Sequence, residues 1–203
     1  MERRATVYFP MELTVREYAG NIVLATALAA LGMRVLIGHR EAVNAAVGAA
    51  EAPGIVFFKG DDELRLLNRN YSGQGHVFVG QDPEAGIVFE DFQTFFDERL
   101  VVQRLRTSGA YFCYGPDDYE FLTARFPTLQ DRIHPTGSHR SVLWHGFGDG
   151  FYARDVDLIT GRFGRFALVI DSHDAAGTSV DLAAQLARET GMRFVVRPHP
   201  GQG

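Results

Sequence analysis

The sequence predicts an α/β protein whose main domain is a doubly wound, Rossmann-like parallel sheet. Short apolar runs alternate with helical stretches along the chain of 203 residues, as they do in successive βαβ units. Runs such as "GIVFF" are apolar on both faces, which indicates strands that are covered by helices on each side of the sheet. The alternation continues to residue 140, so we assign 1–140 to one N-terminal domain.

The elements of this domain are recognised from apolar spacing and from the residues that end each pattern. The first helix, for example, has apolar side chains three and four residues apart and ends at Gly32. The predicted strands cover 5–9, 33–38, 54–58, 75–80, a short segment at 85–90, 109–115 and 132–137. The predicted helices cover 15–32, 40–50, 61–70, 91–105 and 116–127.

The residue composition of the chain changes from Ser138 onward. Glycines are frequent and strand signals are weak in this part, so we predict a linker over 141–165. One β-α-β unit follows over 166–203, with a strand, a helix and a second strand. Such a unit is too small to form a core of its own. We therefore expect an incomplete second, nucleotide-binding Rossmann-like domain at 166–203.

Composition excludes several classes of protein. The chain is 46% hydrophobic and 22% charged, as a soluble globular protein is, and its net charge of −5 argues against a general nucleic-acid binder. The longest apolar run, 22–32, is too short to span a membrane, and no secretion signal opens the chain. Its single cysteine, Cys113, suits a reducing compartment. We expect a soluble cytoplasmic protein.

Candidate site residues follow the predicted strands, because ligands of open parallel sheets bind beyond the carboxyl ends of the strands. Glu12, Arg16 and Glu17 come after the first strand, where they serve a site or only complement the dipole of the next helix. Asp82 and Glu84 come after the fourth strand, as a candidate general base or as part of a surface turn.

The last strand runs into "RPHPG", which has the chemistry of a phosphate site. Arg197 supplies a planar charged fork, the flanking prolines fix the direction of His199, and Gly201 allows a close approach of backbone amides. The alternative is a proline-rich exit that merely ends the strand. No metal site is expected, since the spacing of His134, His139 and His145 matches no zinc pattern.

Three longer segments occur in an order that is typical of one family. They are "YFPMELTVREYAGNIVLATALAALGMRVLIGHR", "GHVFVGQDPEAGIVF" and "YFCYGPDDYEFLTARFPTLQDRIHPTGSHR", and "RFALVID" and "FVVRPHP" follow them. This order resembles bacterial surface carbohydrate biosynthesis proteins, which are similar to glycosyltransferases of the two-domain GT-B type and to CDP-glycerol glycerophosphotransferases. The family usually reads Thr-Gly-Asn-Pro-Arg where this chain has Thr-Gly-Ser-His-Arg at 136–140.

The resemblance implies a function and a set of roles. It implies a sugar transfer from a nucleotide-activated donor to a carbohydrate or lipid-linked glycan acceptor, without a cofactor or a metal, in the cytoplasm or at the inner face of the cytoplasmic membrane. The 1–140 domain would be of the GT-B N-terminal, acceptor-side type. The implied residues are Glu12, Asp82 and Glu84 as catalytic base candidates, Arg16, Glu17, Gly137 and Ser138 at the acceptor cleft, and Arg197, His199 and Gly201 on the donor phosphate.

Three alternatives stay open at this point. The first two are glycerophosphate transfer from CDP-glycerol and UDP-sugar epimerisation on the same two-domain scaffold. The third is a truncated, non-catalytic binding module, because the 203 residues hold little of a donor-binding domain. The sequence makes no prediction of the donor sugar, the stereochemical outcome or the oligomeric state.

Overall fold

The computed structural model describes residues 5–12, 14–58, 71–82, 91–99, 102–145, 150–170 and 178–197. The chain divides into two compact units, Met1–Gly148 and Asp149–Gly203. The strand predicted at 85–90 and the helix predicted at 61–70 lie outside the described residues. In the part of the chain that is described, no helix combines the length and the hydrophobicity that a membrane span requires.

The first unit is built on a parallel sheet of six strands in the order β2-β1-β3-β4-β5-β6. This sheet and the helices on it confirm the predicted α/β class and agree with a Rossmann-like fold. The strands are β1 Thr6–Met11, β2 Arg34–His39, β3 Ile55–Phe58, β4 Val77–Gly80, β5 Ala110–Cys113 and β6 Ile133–Pro135.

Helices connect most of these strands. The segment predicted as one helix over 91–105 contains two described helices, α3 and α4, on either side of residues that lie outside the description. The helices are α1 Thr14–Ala30, α2 Arg40–Gly48, α3 Phe92–Arg99, α4 Val102–Thr107 and α5 Pro116–Arg125, with short 3-10 turns at Ser72–Gln74, Pro127–Arg132 and Ser141–Leu143.

The sheet is covered on both faces because the chain changes direction after β2. β2 lies on one side of β1 and β3 on the other, so right-handed crossovers place α1 and α2 on opposite faces. On one face Tyr8 packs in a core cluster with Val43 and Val47 of α2. On the other face Phe9 meets Phe57, with ring centroids 5.1 Å apart. The sheet therefore has a topological switch point between β1 and β3.

A second core cluster covers β5 and β6. Leu105, Leu122 and Ile133 are fully buried there between the sheet and the helices. Cys113 belongs to the same cluster, where burial, and then the charge of Asp118, raises the pKa of its thiol to about 11. The single cysteine is thus a core side chain rather than a reactive thiol.

The second unit contains α6 Ala153–Phe163, β7 Ala167–Ile170, α7 Thr178–Thr190 and β8 Phe194–Arg197. β7 and β8 pair in parallel, as one β-α-β unit predicts. The linker predicted at 141–165 includes α6, an amphipathic helix whose spacing was obscured by the glycines before it. Leu168 and Ile170 are 51% and 69% exposed. Considered by itself, this unit leaves much of its apolar surface in contact with solvent.

Candidate functional site

Buried polar side chains gather at the carboxyl end of the six-stranded sheet, beside the switch point. Among the described residues, seven polar or charged side chains are buried, and four of them line cavities at this end. A buried polar group is costly unless it is hydrogen-bonded, so such a cluster marks a part of the molecule built for something other than packing. The four side chains are Glu17, Asn21, Gln81 and Ser138.

A cavity of about 520 Å³ opens at the same end. Phe57 of β3 and Phe112 of β5 line it from the sheet, and we call these two side chains the aromatic floor. Thr136, Ser138 and Ser141 also line the cavity, and we call them the hydroxyl rim. This volume is in the range of sites that hold small molecules, which are mostly apolar with a few placed polar groups.

The aromatic floor belongs to a row of rings that crosses the sheet. The rings of Phe57 and Phe112 are nearly parallel, with centroids 6.3 Å apart and an interplanar angle of 14°. Phe9 continues the row on one side, and His134 continues it on the other at 6.0 Å from Phe112. Alternation along the strands explains the row, because side chains two residues apart point to the same face.

The rim is shaped by a turn that depends on Gly137. This residue has a φ of 74°, in the left-handed region that favours glycine. Its N–H donates to the carbonyl of Cys113 at 3.1 Å, and its carbonyl accepts from Nε2 of Gln81 at 2.7 Å. Gly137 is therefore tied to β5 and to the end of β4, which fixes the backbone beside the cavity.

His139 joins three elements at this end of the sheet. Its Nδ1 lies 2.9 Å from Oε1 of Gln81, and its Nε2 lies 2.8 Å from Oδ1 of Asn21 in α1. Its ring also packs edge-on against Phe57, with centroids 5.7 Å apart. We call the group of His139, Asn21 and Gln81 the His139 clamp.

The clamp fixes the tautomer of the ring. Gln81 must turn its NH2 group toward the Gly137 carbonyl, so its oxygen accepts the Nδ1 proton of His139. A neutral imidazole has one donor and one acceptor, so Nε2 accepts. Asn21 then presents its NH2 group to Nε2, which a half-turn of its amide provides.

His139 stays neutral at pH 7. Burial of the ring, and then the positive charge of Arg140, lower the pKa of His139 to about 4. Because both ring nitrogens already have partners, the side chain does not act as a proton acceptor for a bound ligand. Its role here is to position the turn that carries the rim.

A glycine in α1 allows the helix to approach this turn. A Cβ at Gly20 would lie 2.7 Å from Cγ of Arg140 and 3.2 Å from Cδ2 of His139. Both distances are shorter than ordinary van der Waals contact. The absence of a side chain at this position is what lets Asn21, in the next position of the helix, reach the ring of His139.

The acidic residues after β1 form a small network of their own. The backbone N–H of Glu12 donates to Oε2 of Glu17 at 2.9 Å, and Glu17 is buried. Oε1 of Glu12 lies 3.8 Å from Nη1 of Arg40, in a pair that is about half exposed. Glu17 thus anchors the end of β1, while Glu12 directs its carboxylate toward solvent and Arg40.

The remaining predicted residues are distributed over both units. Asp82 is half-buried and follows Gln81 directly. Arg16 lies in the first turn of α1, and Arg197 is the exposed last residue of β8, opposite Ile170. Glu84, His199 and Gly201 lie outside the described residues. Among the described residues, neither Glu12 nor Asp82 lines the cavity, whereas Gly137 and Ser138 both do.

No group of three His, Cys, Asp or Glu side chains lies together as a metal site would require, within the part of the chain that the structure describes. The three histidines considered from sequence have different surroundings. His134 packs in the aromatic row, His139 is held by its clamp, and His145 is exposed and lines the cavity.

Sequence reasoning missed the residues that build the site, namely Asn21, Phe57, Gln81, Phe112 and His139. Phe57 and Phe112 read as core positions, because a strand apolar on both faces does not reveal which ring borders a cavity. Gln81 carried a usable signal, since it follows the fourth strand directly at the end where ligands bind. The two hydrogen bonds of its side-chain amide connect residues that are far apart in the chain, and no local sequence pattern indicates such contacts.

Comparisons with protein-family models, with curated proteins and with solved structures find no match to this chain. The resemblance to surface carbohydrate biosynthesis proteins therefore stays a prediction that rests on the motifs quoted above.

Proposed function

We propose that this chain is a glycosyltransferase-like protein of bacterial surface polysaccharide assembly, whose first unit binds the acceptor. The observation that supports the proposal most is the cavity at the carboxyl end of the parallel sheet, with Gly137 and Ser138 in its lining. Open α/β sheets bind their ligands at this end. The family resemblance assigns the same two residues to the acceptor cleft.

The proposed chemistry is the transfer of a sugar to an acceptor hydroxyl. A carboxylate of the first unit takes the hydroxyl proton, the acceptor oxygen bonds to the anomeric carbon, and the bond to the leaving nucleotide phosphate breaks. Asp82 is the better placed of the two described candidates, because it follows the cavity-lining residue Gln81. Glu12 is already engaged near Arg40.

The leaving phosphate needs a compensating charge. Arg197 and His199 are the proposed source, with Gly201 beside them, so this scheme needs no metal or cofactor. Arg197 ends β8 with an exposed side chain, as a residue that contacts a soluble anion must. A permanently charged guanidinium matches phosphate oxygens in pairs.

One observation favours a non-catalytic binding module as a second candidate. Among the described residues that line the cavity, none carries a carboxylate, and both ring nitrogens of His139 have hydrogen-bond partners. A site of this composition binds a ligand without activating it. Glu84, which lies outside the described residues, and Asp82 are the groups that decide between binding and transfer.

Transfer assays with CMP-, CDP- and UDP-linked sugars, and with CDP-glycerol, test the proposal. We expect turnover with one donor class, and a loss of about a hundredfold or more in Asp82→Asn if Asp82 is the base. Asp131→Asn, at an exposed position on a 3-10 turn, is the matched control and should keep full activity. Glycerophosphate transfer or epimerisation in place of sugar transfer would replace the proposed reaction, and ligand binding without turnover by any donor would establish the binding module.

A further inference from the structure

We infer that the cavity over the aromatic floor selects an uncharged, hydroxyl-bearing sugar ring and rejects its anionic counterparts. This inference rests on the proposed function, since it names the charge class of the acceptor that the first unit binds. Three independent properties of the described lining residues lead to it: their charge, the hydrogen-bonding state of the hydroxyl rim, and the electrostatics of the floor.

The first property is the absence of charge. Among the described residues that line the cavity, none is Asp, Glu, Lys or Arg. Glu17 and Arg140 line an adjoining void of about 20 Å³ but not the cavity itself. A carboxylate or phosphate held in the cavity would lose its hydration and find no cation within the described lining, which is expensive.

The second property is that two of the three rim hydroxyls have already used their protons. The hydroxyl of Ser141 donates to the Ser138 carbonyl at 2.6 Å, and that of Thr136 donates to the Gly137 carbonyl at 3.2 Å. Each therefore offers only lone pairs to a ligand. An anionic oxygen, which only accepts, repels such groups, whereas a sugar hydroxyl donates to them.

The third rim hydroxyl complements the other two. Ser138 Oγ accepts from the N–H of Arg140 at 3.2 Å, and no described residue accepts its own proton. Its O–H is thus a donor for the ligand. Two acceptors and one donor around a cavity match a ring that carries several hydroxyl groups, because each hydroxyl donates and accepts. A nucleobase offers fewer donors along its edge.

The third property is the electrostatics of the floor. The rings of Phe57 and Phe112 are stacked nearly parallel and half-buried, and both border the cavity as its aromatic part. The face of a phenyl ring is its negative region. It attracts the weakly positive C–H groups on the face of a sugar ring and repels an anion. The aromatic floor and the hydroxyl rim therefore both favour a neutral sugar ring over an anion.

The test is a set of NMR titrations of the 203-residue chain at pH 8. The probes are methyl glycosides of glucose, galactose and mannose, the matching methyl uronates, and the nucleosides uridine and cytidine. We expect at least one neutral glycoside to bind at least about tenfold more tightly than its uronate, since the anion loses one or more hydrogen bonds. Equal or tighter binding of the uronate, tighter binding of a nucleoside, or no binding of any neutral glycoside would overturn the inference.

Two variants locate the effect. Phe112→Leu should lower the affinity for the best neutral glycoside by about threefold or more, because the aromatic ring is lost. Phe121→Leu, which shortens a half-buried ring packed on Phe96, is the matched control and should bind like the wild type. Thr136→Arg places a cation on the exposed rim and should raise the affinity for uronates. Unchanged binding in both Phe112→Leu and Thr136→Arg would also contradict the inference.

The outcome for the proposed function is read separately, from the transfer assays. Neutral glycosides that bind but are not glycosylated would leave the inference standing and remove the transferase proposal. Transfer of a sugar to an anionic acceptor would support the transferase proposal and contradict the inference.

Discussion

The two ends of the six-stranded sheet each hold a histidine with hydrogen bonds at both ring nitrogens near a cavity, but the two ends are built differently. At the amino end, a cavity of about 610 Å³ is lined by Thr6, Arg34 and Glu51 among others, and at the carboxyl end the cavity has about 520 Å³. Size does not distinguish them. The difference lies in what their histidines hold in place.

At the amino end, His76 joins the segments that precede β3 and β4 and, through Gln74, the end of α2. Its Nδ1 accepts from the N–H of Gly54 at 2.9 Å, and its Nε2 lies 3.2 Å from Oε1 of Gln74. Gln74 in turn donates to the carbonyl of Gly48. All of these contacts close turns between strands and helices, which is a structural role.

At the carboxyl end, His139 connects a helix, the end of a strand and a turn that lines a cavity. Its partners are side chains, and they hold groups that face a ligand. A histidine whose two ring nitrogens are both hydrogen-bonded is therefore not by itself a mark of function. What surrounds the groups that it positions decides whether it belongs to a site.

The largest expected effect concerns the pH dependence of stability at the carboxyl end. The pKa of His139 is lowered to about 4 in the folded chain, below its ordinary value of 6.5, so the unfolded chain binds the proton more readily. The contribution of the neutral His139 ring to the free energy of unfolding is complete above pH 6.5. It falls as the pH decreases from 6.5 to 4, by about 3 kcal/mol in total.

The measurement is the free energy of unfolding of the wild type and of His139→Gln between pH 4 and 7.5. The variant should be less stable at pH 7.5 but lose less stability on acidification, because it has no ring to protonate. Parallel curves for the two proteins would show that His139 is not the buried neutral group described here.

The second prediction uses Cys113 to ask whether the carboxyl end is closed in the native state. Burial raises the pKa of this thiol to about 11, two units above its ordinary value of 9.0. The thiolate fraction at pH 8 is then about a hundredfold lower than that of an unshifted thiol. Modification by a thiol reagent should be slower by at least this factor than in denaturant, and fast modification in native buffer would mean that β5 opens locally.

The third prediction breaks the amino end selectively. A Cβ at Gly54 would lie 2.6 Å from the Thr6 carbonyl oxygen and 2.7 Å from Cε2 of Tyr8. Gly54→Ala should therefore cost about 1–3 kcal/mol of stability. Gly73→Ala is the matched control, since its Cβ meets nothing within 4 Å. Denaturant unfolding measures both, and equal stabilities would show that the amino end adapts more easily than its packing indicates.

The smallest effect on stability is expected for Gly20→Ala, at the carboxyl end. Alanine favours the helix by about 1 kcal/mol relative to glycine. The new Cβ, however, must displace Arg140 and His139, so the net change should be near zero while glycoside binding weakens. A Cβ at Gly161 in α6 would meet nothing within 4 Å, so Gly161→Ala should show the full stabilisation that alanine gives a helix. Unweakened binding in Gly20→Ala would show that the clamp does not position the rim.

Local patterns in the sequence were enough to predict most of the fold. Apolar runs with β-branched residues identified the six strands, and Gly32 and Pro116 marked the end and the start of helices. The helix at Ala153–Phe163 was missed because glycines around it indicated a linker. The helix predicted at 91–105 agrees with the two described helices Phe92–Arg99 and Val102–Thr107, and the residues between them lie outside the described part of the chain.

The site was predicted less well, for a physical reason. Gly137 and Ser138, which the family resemblance assigns to the acceptor cleft, do line the cavity. The clamp was not found, because the contacts of His139 with Asn21 and Gln81 span 118 and 58 residues. Such contacts depend on strand order, and strand order is not encoded in any single segment.

A map of ligand-induced shifts in the labelled 203-residue chain, at saturation with its best neutral methyl glycoside, decides whether the carboxyl end binds the ligand. We expect the largest shifts at the rings of Phe57 and Phe112 and at the amides of Gly137 and Ser138. Shifts that concentrate instead at the amino end, around Tyr8 and Glu51, would contradict it.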